Sequence, residues 1–434
     1  MPLRVSLLSA LCVFGAAAAS AASSQASYNY DEAKVGSYTL PDPLMLNNGK
    51  RVTDAATWQK QRRPELLEIF SREVYGRTPG GRPEGMHWAV TSEDRNALGG
   101  KAVRKEVTIW FTAKKDGPKM HLLIYQPPGT AGAHQPWPTF LGLNYYGNQS
   151  VNADPGIAMS QAWMRENKEF KIVNNRATEG TRGAHASRWE VETVVARGYA
   201  TASIYYGDLC EDQISGLSKD VATLFGTKPT EERSPHEWGS IGVWAWGLSR
   251  ALDYLQSDTE IDGKRVAVHG HSRLGKAALW AGAQDERFAY VISNNSGCGG
   301  AALSMRIYGE TVARINSSFP FWFAKSFRAY NDKESTLPVD QHELIALIAP
   351  RPVHVASAED DKWADPYGEF LGAKKAEPVY ALFGKKGLGV DKMPEIHQPV
   401  YGDAIAYHIR AGKHDINAYD WARYLDYADK VLKR

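Results

Sequence analysis

Apolar residues along this 434-residue chain fall into short runs broken by polar turns, and beyond residue 138 those runs alternate with helical patterns. The runs at 139–146, 200–206, 265–269, 289–293, 352–357 and 404–409 are nearly continuous in apolar residues, the mark of strands covered on both faces. Such alternation requires βαβ crossovers, so the spacing predicts an α/β fold: a three-layer sandwich with a mainly parallel central sheet flanked by helices. Upstream, 107–113 and 120–126 are β-rich runs joined through Lys-Lys-Asp-Gly-Pro and read as an antiparallel hairpin.

Helices are legible from their spacing. Leu66, Leu67, Phe70 and Val74 recur at helical intervals between Pro64 and Gly76. Ser234, Pro235, His236 and Glu237 have the form of a capping box, ahead of a helix whose one face carries Ile241, Ala245, Leu248, Leu252 and Leu255. A final helix from Ile416 buries Trp421, Leu425, Ala428 and Leu432, with Lys430, Lys433 and Arg434 suiting its C-terminal dipole. With no internal repeat and no Pro/Ser-rich linker, residues 51–434 read as one domain, preceded by a polar extended arm at 22–50. Two long irregular stretches, 147–188 and 298–340, interrupt the alternation and are expected to wall a pocket over the strand ends.

Composition narrows the partners. The chain is 43% apolar and 23% charged, an ordinary globular balance, and 51 basic against 49 acidic residues leave +2 with no basic run. That argues against a nucleic-acid backbone or an anionic membrane as partner. Residues 1–21 place one charge, Arg4, before an apolar run that closes on Ala19-Ser20-Ala21, the form of a signal peptide cleaved near Ala21. No later run reaches the roughly 18 apolar residues of a membrane span, so a secreted or periplasmic protein is expected. Beyond the leader stand Cys210 and Cys298, open to a disulfide or to two separate buried thiols. No dinucleotide loop, Walker loop or His-Glu-x-x-His is present, and no cofactor or metal is expected.

The chemistry centres on Gly-His-Ser-Arg-Leu-Gly-Lys at 270–276, between the strand at 265–269 and a small-residue helix. A serine at a tight strand-to-helix turn, followed in order by an acid and a histidine, is the arrangement of an α/β-hydrolase nucleophile. Gly270 precedes Ser272 by two, but Leu274 stands where the strict motif has glycine, and Gly275 comes one later; an ordinary helix-capping serine is the competing reading. The strand at 352–357 leads into Asp360, Asp361 and Asp365, of which Asp365, before a proline, reads as a helix cap. The strand at 404–409 leads to His414, the best-placed base among the 12 histidines, whereas His408 lies within the strand and is expected to be packed. The backbone N–H or the guanidinium of Arg273 would then face the oxyanion.

These segments resemble the glucuronoyl esterases of carbohydrate esterase family 15, above all the bacterial branch. The likeness runs from the Gly-x-Ser-Arg-x-Gly-Lys elbow through Ser-Asn-Asn-Ser-Gly-Cys-Gly-Gly and Asp-Asp-Lys-Trp-Ala-Asp-Pro to Arg-Ala-Gly-Lys-His, and covers most of the chain beyond residue 60. It implies an α/β-hydrolase fold and a serine esterase that cleaves the ester between the 4-O-methyl-glucuronic acid of xylan and a lignin alcohol. It implies Ser272 as nucleophile, His414 as base, Arg273 as oxyanion donor, and Lys276, Glu310 and Trp363 as contacts to the sugar. Fungal members carry a glutamate where this chain has Asn295, so the acid is expected from the following loop. The Asp-x-Trp-Ala-Asp-Pro match selects Asp361, although counting from the strand end equally allows Asp360. Phe321 stands where many relatives are expected to have histidine, a change expected in the pocket, and His271 where fungal forms have cysteine. Two alternatives stand beside this reading: a carbohydrate deacetylase on the same fold, and a non-catalytic carbohydrate-binding protein.

Overall fold

The computed structural model describes residues 28–129 and 136–433; the leader read at 1–21, with its cleavage point near Ala21, lies outside them. One ten-stranded sheet organises the molecule, in the order β1-β2-β3-β5-β4-β6-β7-β8-β10-β9. Its strands are β1 (His87–Asn96), β2 (Ala102–Trp110), β3 (Lys119–Gln126), β4 (Trp137–Asn144), β5 (Ala200–Tyr205), β6 (Ile261–His271), β7 (Tyr290–Asn294), β8 (Val353–Ala358), β9 (Val400–Tyr401) and β10 (Ile405–Arg410). β5, β4, β6, β7, β8 and β10 run parallel, while β1, β2 and β3 form an antiparallel flank. Every strand expected from its apolar run is present within a few residues. β1 and β9 were not expected: β1 is a half-exposed edge strand with an almost polar sequence, and β9 is two residues long.

The helices that cover this sheet are α1 (Arg63–Phe70), α2 (Val191–Ala196), α3 (Ser240–Leu255), α4 (Arg273–Gln284), α5 (Gln341–Ala346), α6 (Pro366–Leu382) and α7 (Ala418–Val431). Alternate strand residues feed two separate cores, as the two-residue period of a strand requires. Phe140, Ala267, Ile292, Ala356 and Ala406 point to the side where Val194 of α2 and Trp421, Leu425 and Ala428 of α7 pack. Leu141, Val268, Val291, Val355 and Ile405 point to the other, where Leu248 and Leu252 of α3, Ala278 of α4 and Phe370 of α6 close the larger core. The order β5-β4-β6 reverses the direction of winding, and the loops at the carboxyl ends of the strands beside such a reversal are where a site is built.

Two sequence expectations change here. Ser234–Glu237 does not cap α3, which starts at Ser240 with Gly239 at its N-cap. The Glu237 carboxylate instead accepts the N–H groups of Ser234 (3.3 Å) and Lys228 (2.7 Å), closing a loop turn short of the helix. The stretch 147–188 walls a different part of the surface, whereas 298–340 does reach the cavity described below. Cys210 and Cys298 are separate buried thiols.

Candidate active site

β6 ends at His271 and α4 begins at Arg273, which leaves a single residue, Ser272, to make the turn. It does so at φ 58° and ψ −128°, a conformation that costs a non-glycine residue of order 1–3 kcal/mol and persists where the surroundings enforce it. Its side chain makes no capping bond to the helix, so the hydroxyl is not spent on the structural task of an N-cap serine. The displaced glycine of the motif has a local cause. A Cβ on Gly270 would run into the carbonyl of Leu274, and one on Gly275 would lie 3.0 Å from the carbonyl of Gly270. The strand end and the helix start therefore cross at 270 and 275, while Leu274 points into the core.

The loops after β8 and β10 bring the acid and base together. His414 Nδ1 lies 2.6 Å from Asp361 Oδ2, which also accepts the Asn295 amide at 2.8 Å. Asn295, at φ 44°, follows β7. Burial pushes the Asp361 carboxyl up, but the hydrogen bonds from His414 and Asn295 outweigh it and hold the group below the usual range. Asp360 is exposed, and its backbone N–H binds Gly412. Asp365 caps α6 through the Gly368 N–H and pairs with Arg306, and His408 is buried between His354 and Asp420. His271 packs against His414 with ring centres 4.5 Å apart. Burial first, then His414, drives the His271 ring well below its usual pKa, so it stays neutral and does not oppose an imidazolium on its neighbour.

A cavity of about 340 Å³ opens over Ser272, in the range of small-molecule sites. Ser272, Arg273, Lys276, Asn295, Glu310, Trp363, Asp361 and His414 all line it. Lys276 Nζ stands 3.9 Å from Glu310 Oε2 and donates to the Ser296 carbonyl. Burial lowers the lysine pKa and raises that of the glutamate, each opposed by the other's charge. The Glu310 backbone N–H binds the Trp363 carbonyl at 3.0 Å, which fixes the carboxylate beside the indole. A buried ammonium and carboxylate short of their full set of partners are suited to fork hydroxyl groups against an aromatic wall.

Other residues of the site were not singled out from the sequence. Asp212, almost wholly buried, binds the Arg273 guanidinium and accepts the Trp322 indole N–H at 2.8 Å. Phe319 and Trp322 stack 3.7 Å apart, and the guanidinium carbon of Arg273 lies 4.7 Å from the Trp322 ring centre. Burial disfavours the charge on Arg273, but Asp212 more than restores it and raises its pKa. These aromatics, not Phe321, form the wall on that side: Phe321 is buried in the core and offers its carbonyl to Ser240. The aromatic run Phe-Pro-Phe-Trp-Phe was the available signal for this wall; nothing in the sequence marked Asp212. Among the described residues, no group of three or more His, Cys, Asp or Glu side chains is placed to hold a metal ion.

A serine on a strained elbow at the carboxyl edge of a parallel sheet, with an Asp–His pair opening into the same cavity, defines a serine hydrolase of the α/β-hydrolase class. A family model for fungal glucuronyl esterases matches residues 231–384. Carbohydrate esterase MZ0003, from an unknown prokaryotic organism, is 50% identical over 402 residues, or 93% of this chain and 91% of its own. A glucuronoyl esterase from Solibacter usitatus superposes with a TM-score of 0.85 at 50% identity, over 92% of this chain and 99% of that one. A promiscuous CE15 esterase from a marine bacterial metagenome gives 0.87 at 49% identity, over 94% and 100%. The chain belongs to carbohydrate esterase family 15, the glucuronoyl esterases, as the elbow and loop motifs implied.

Proposed function

We propose that this protein hydrolyses esters of glucuronic acid carried on xylan, with lignin alcohols as the natural leaving groups. The observation that carries the reading is the convergence, in one cavity, of Ser272 and the Asp361–His414 pair with a buried Lys276–Glu310 pair and Trp363. In a glucuronate ester the sugar lies on the acyl side of the scissile bond; in an acetylated sugar it lies on the alcohol side, and the acyl group is a methyl. A polar, hydroxyl-binding pocket built into the nucleophile's own helix therefore favours a uronoyl ester over the deacetylase alternative.

The geometry supports the following sequence. Ser272 Oγ attacks the ester carbonyl while His414 Nε2 takes its proton, and Asp361 holds the opposite ring nitrogen and balances the imidazolium. The oxyanion lies at the first turn of α4, where the Arg273 N–H, as an unpaired helix-start donor, and the charged guanidinium meet it. His414 returns the proton to the departing alcohol, and water releases the uronic acid from the acyl-enzyme by the same steps in reverse. No helix among the described residues is long and apolar enough to cross a membrane. The leader motif at 1–21 supports export, and the arm and residues 51–434 are read as one secreted or periplasmic catalytic unit.

Hydrolysis of benzyl glucuronate beside 4-nitrophenyl acetate tests the assignment. The wild type is expected to prefer the glucuronate ester, and Ser272→Ala to lose on the order of 10⁶-fold in kcat while a glucuronate still binds. Turnover of the acetate alone would replace the substrate class, and full activity in the variant would remove Ser272 from the mechanism.

A further inference from the structure

A second cleft, of about 660 Å³, lies between the N-terminal arm and the Met305–Ile307 segment. It is lined by Tyr28, Tyr30 and Tyr38 from the arm and by Ile307 and Ser335 opposite. The arm is fixed in place at several points. The Gly309 N–H binds the Asn29 carbonyl at 2.9 Å, the Tyr308 hydroxyl binds the Tyr30 carbonyl at 3.0 Å, and Arg306 reaches Glu32 at 2.7 Å. The cleft is thus formed in advance of any ligand. Ile307 faces it half-exposed at φ 50°, an uncommon conformation for a β-branched side chain.

Position and charge indicate its occupant. Tyr28 stands edge-on to Trp363, ring centres 4.9 Å apart, so the cleft and the cavity over Ser272 share a wall. Trp363 stands in that cavity beside Glu310, whose backbone N–H binds its carbonyl at 3.0 Å. The charged side chains that line the cleft are paired: Lys34 with Asp31 at 3.6 Å, and Arg306 with Glu32 and Asp365, while Arg314, outside the lining, lies over the Tyr28 ring at 5.7 Å. A neutral ligand is therefore favoured over a uronate or a phosphate. Phenol rings offer faces to the C–H surface of a sugar and hydroxyls to its polar groups. We propose that this cleft is a subsite for the neutral glycan chain that bears the glucuronate, an inference that rests on the glucuronoyl ester reading and extends it.

The test uses the mature Ser272→Ala protein titrated calorimetrically with unsubstituted xylohexaose, alone and with Tyr30→Ala or Tyr38→Ala added. Saturable binding is expected, weakened about tenfold by either tyrosine change, the effect of losing one aromatic contact. Absence of binding, or binding that neither change weakens, overturns the subsite. Benzyl glucuronate hydrolysis by the unaltered protein separates the two layers. Turnover without xylohexaose binding removes the cleft and leaves the activity, while tyrosine-dependent xylohexaose binding without turnover keeps the cleft and removes the glucuronate reading.

Discussion

Asp361 holds His414 through Nδ1, which leaves Nε2 as the nitrogen available to a serine proton, and it does so while also accepting the Asn295 amide. Asparagine in that place can only donate toward the carboxylate, so Asn295 keeps Asp361 ionised where a second acid would have competed with it for the histidine. Because the folded carboxyl lies below its ordinary value of 3.8, its stabilisation is present above that pH and is lost as pH falls through the lowered value. Asp361→Asn is expected to cut kcat by on the order of 10⁴-fold, because the amide favours the wrong imidazole tautomer. Asp360→Asn should leave kcat near wild type, its side chain being exposed and its anchor to Gly412 a backbone one. Steady-state rates on one glucuronate ester compare the two, and the opposite ranking would move the acid to Asp360. That Ser272, His414 and an aspartate meet in one cavity was legible because chain order and local motif mark these residues. Asp212, Trp322 and Tyr28 were not, since each acts through a partner far away in sequence, and only the fold brings Tyr28 to Trp363 or Asp212 to Arg273.

At the scale of elements, the buried strands announced themselves because both faces are apolar, and the edge strand β1 escaped because solvent covers much of it. The loop after β10 shows what spacing does not disclose: one buried side chain sets its shape. Arg410 Nη1 donates to the Ala411 carbonyl at 2.9 Å and Nη2 to the Lys413 carbonyl at 3.1 Å, with the Asp415 carbonyl also bound. The guanidinium therefore grips the chain on both sides of His414, while its Nε pairs with Asp420 at 2.8 Å. Asp420 in turn closes the first turn of α7 by accepting the Asn417 N–H. Arg410→Gln leaves that carboxylate buried without its cation, and a loss of about 3–5 kcal/mol is expected in urea unfolding. Because the loop carries His414, the proposed base, kcat should fall while KM for a glucuronate ester changes little. A stability loss under about 1 kcal/mol with unaltered kcat would show that the loop holds its shape without the clamp.

Across the whole molecule, two buried carboxyls on the neighbouring helices α5 and α6 tie stability to pH in the same direction. Glu369 of α6 accepts the N–H groups of Ser296 (2.7 Å) and Gly297 (3.0 Å) and the Ser357 hydroxyl (2.7 Å), which anchors the segment that follows Asn295. Glu343 of α5 meets Arg62 at 3.0 Å and so ties the α1 region to the core. Burial pushes both carboxyls up to about 8, against the opposing hydrogen bonds at Glu369 and the Arg62 charge at Glu343. Between their ordinary value of 4.5 and about 8, the folded protein keeps protons that the unfolded chain has released. This contribution is complete below 4.5 and is lost as pH rises through about 8. Each carboxyl then contributes a loss of about 2 kcal/mol between pH 6 and 8. Thermal unfolding followed from pH 7 to 9, above the range in which buried neutral histidines such as His271 add stability as pH rises, should show Tm falling, and Glu369→Gln, which keeps an acceptor for the two N–H groups without a titrating proton, should flatten the slope. An unaltered slope in that variant would mean that Glu369 is ionised throughout, held as a carboxylate by its three donors, and that the pH dependence arises elsewhere.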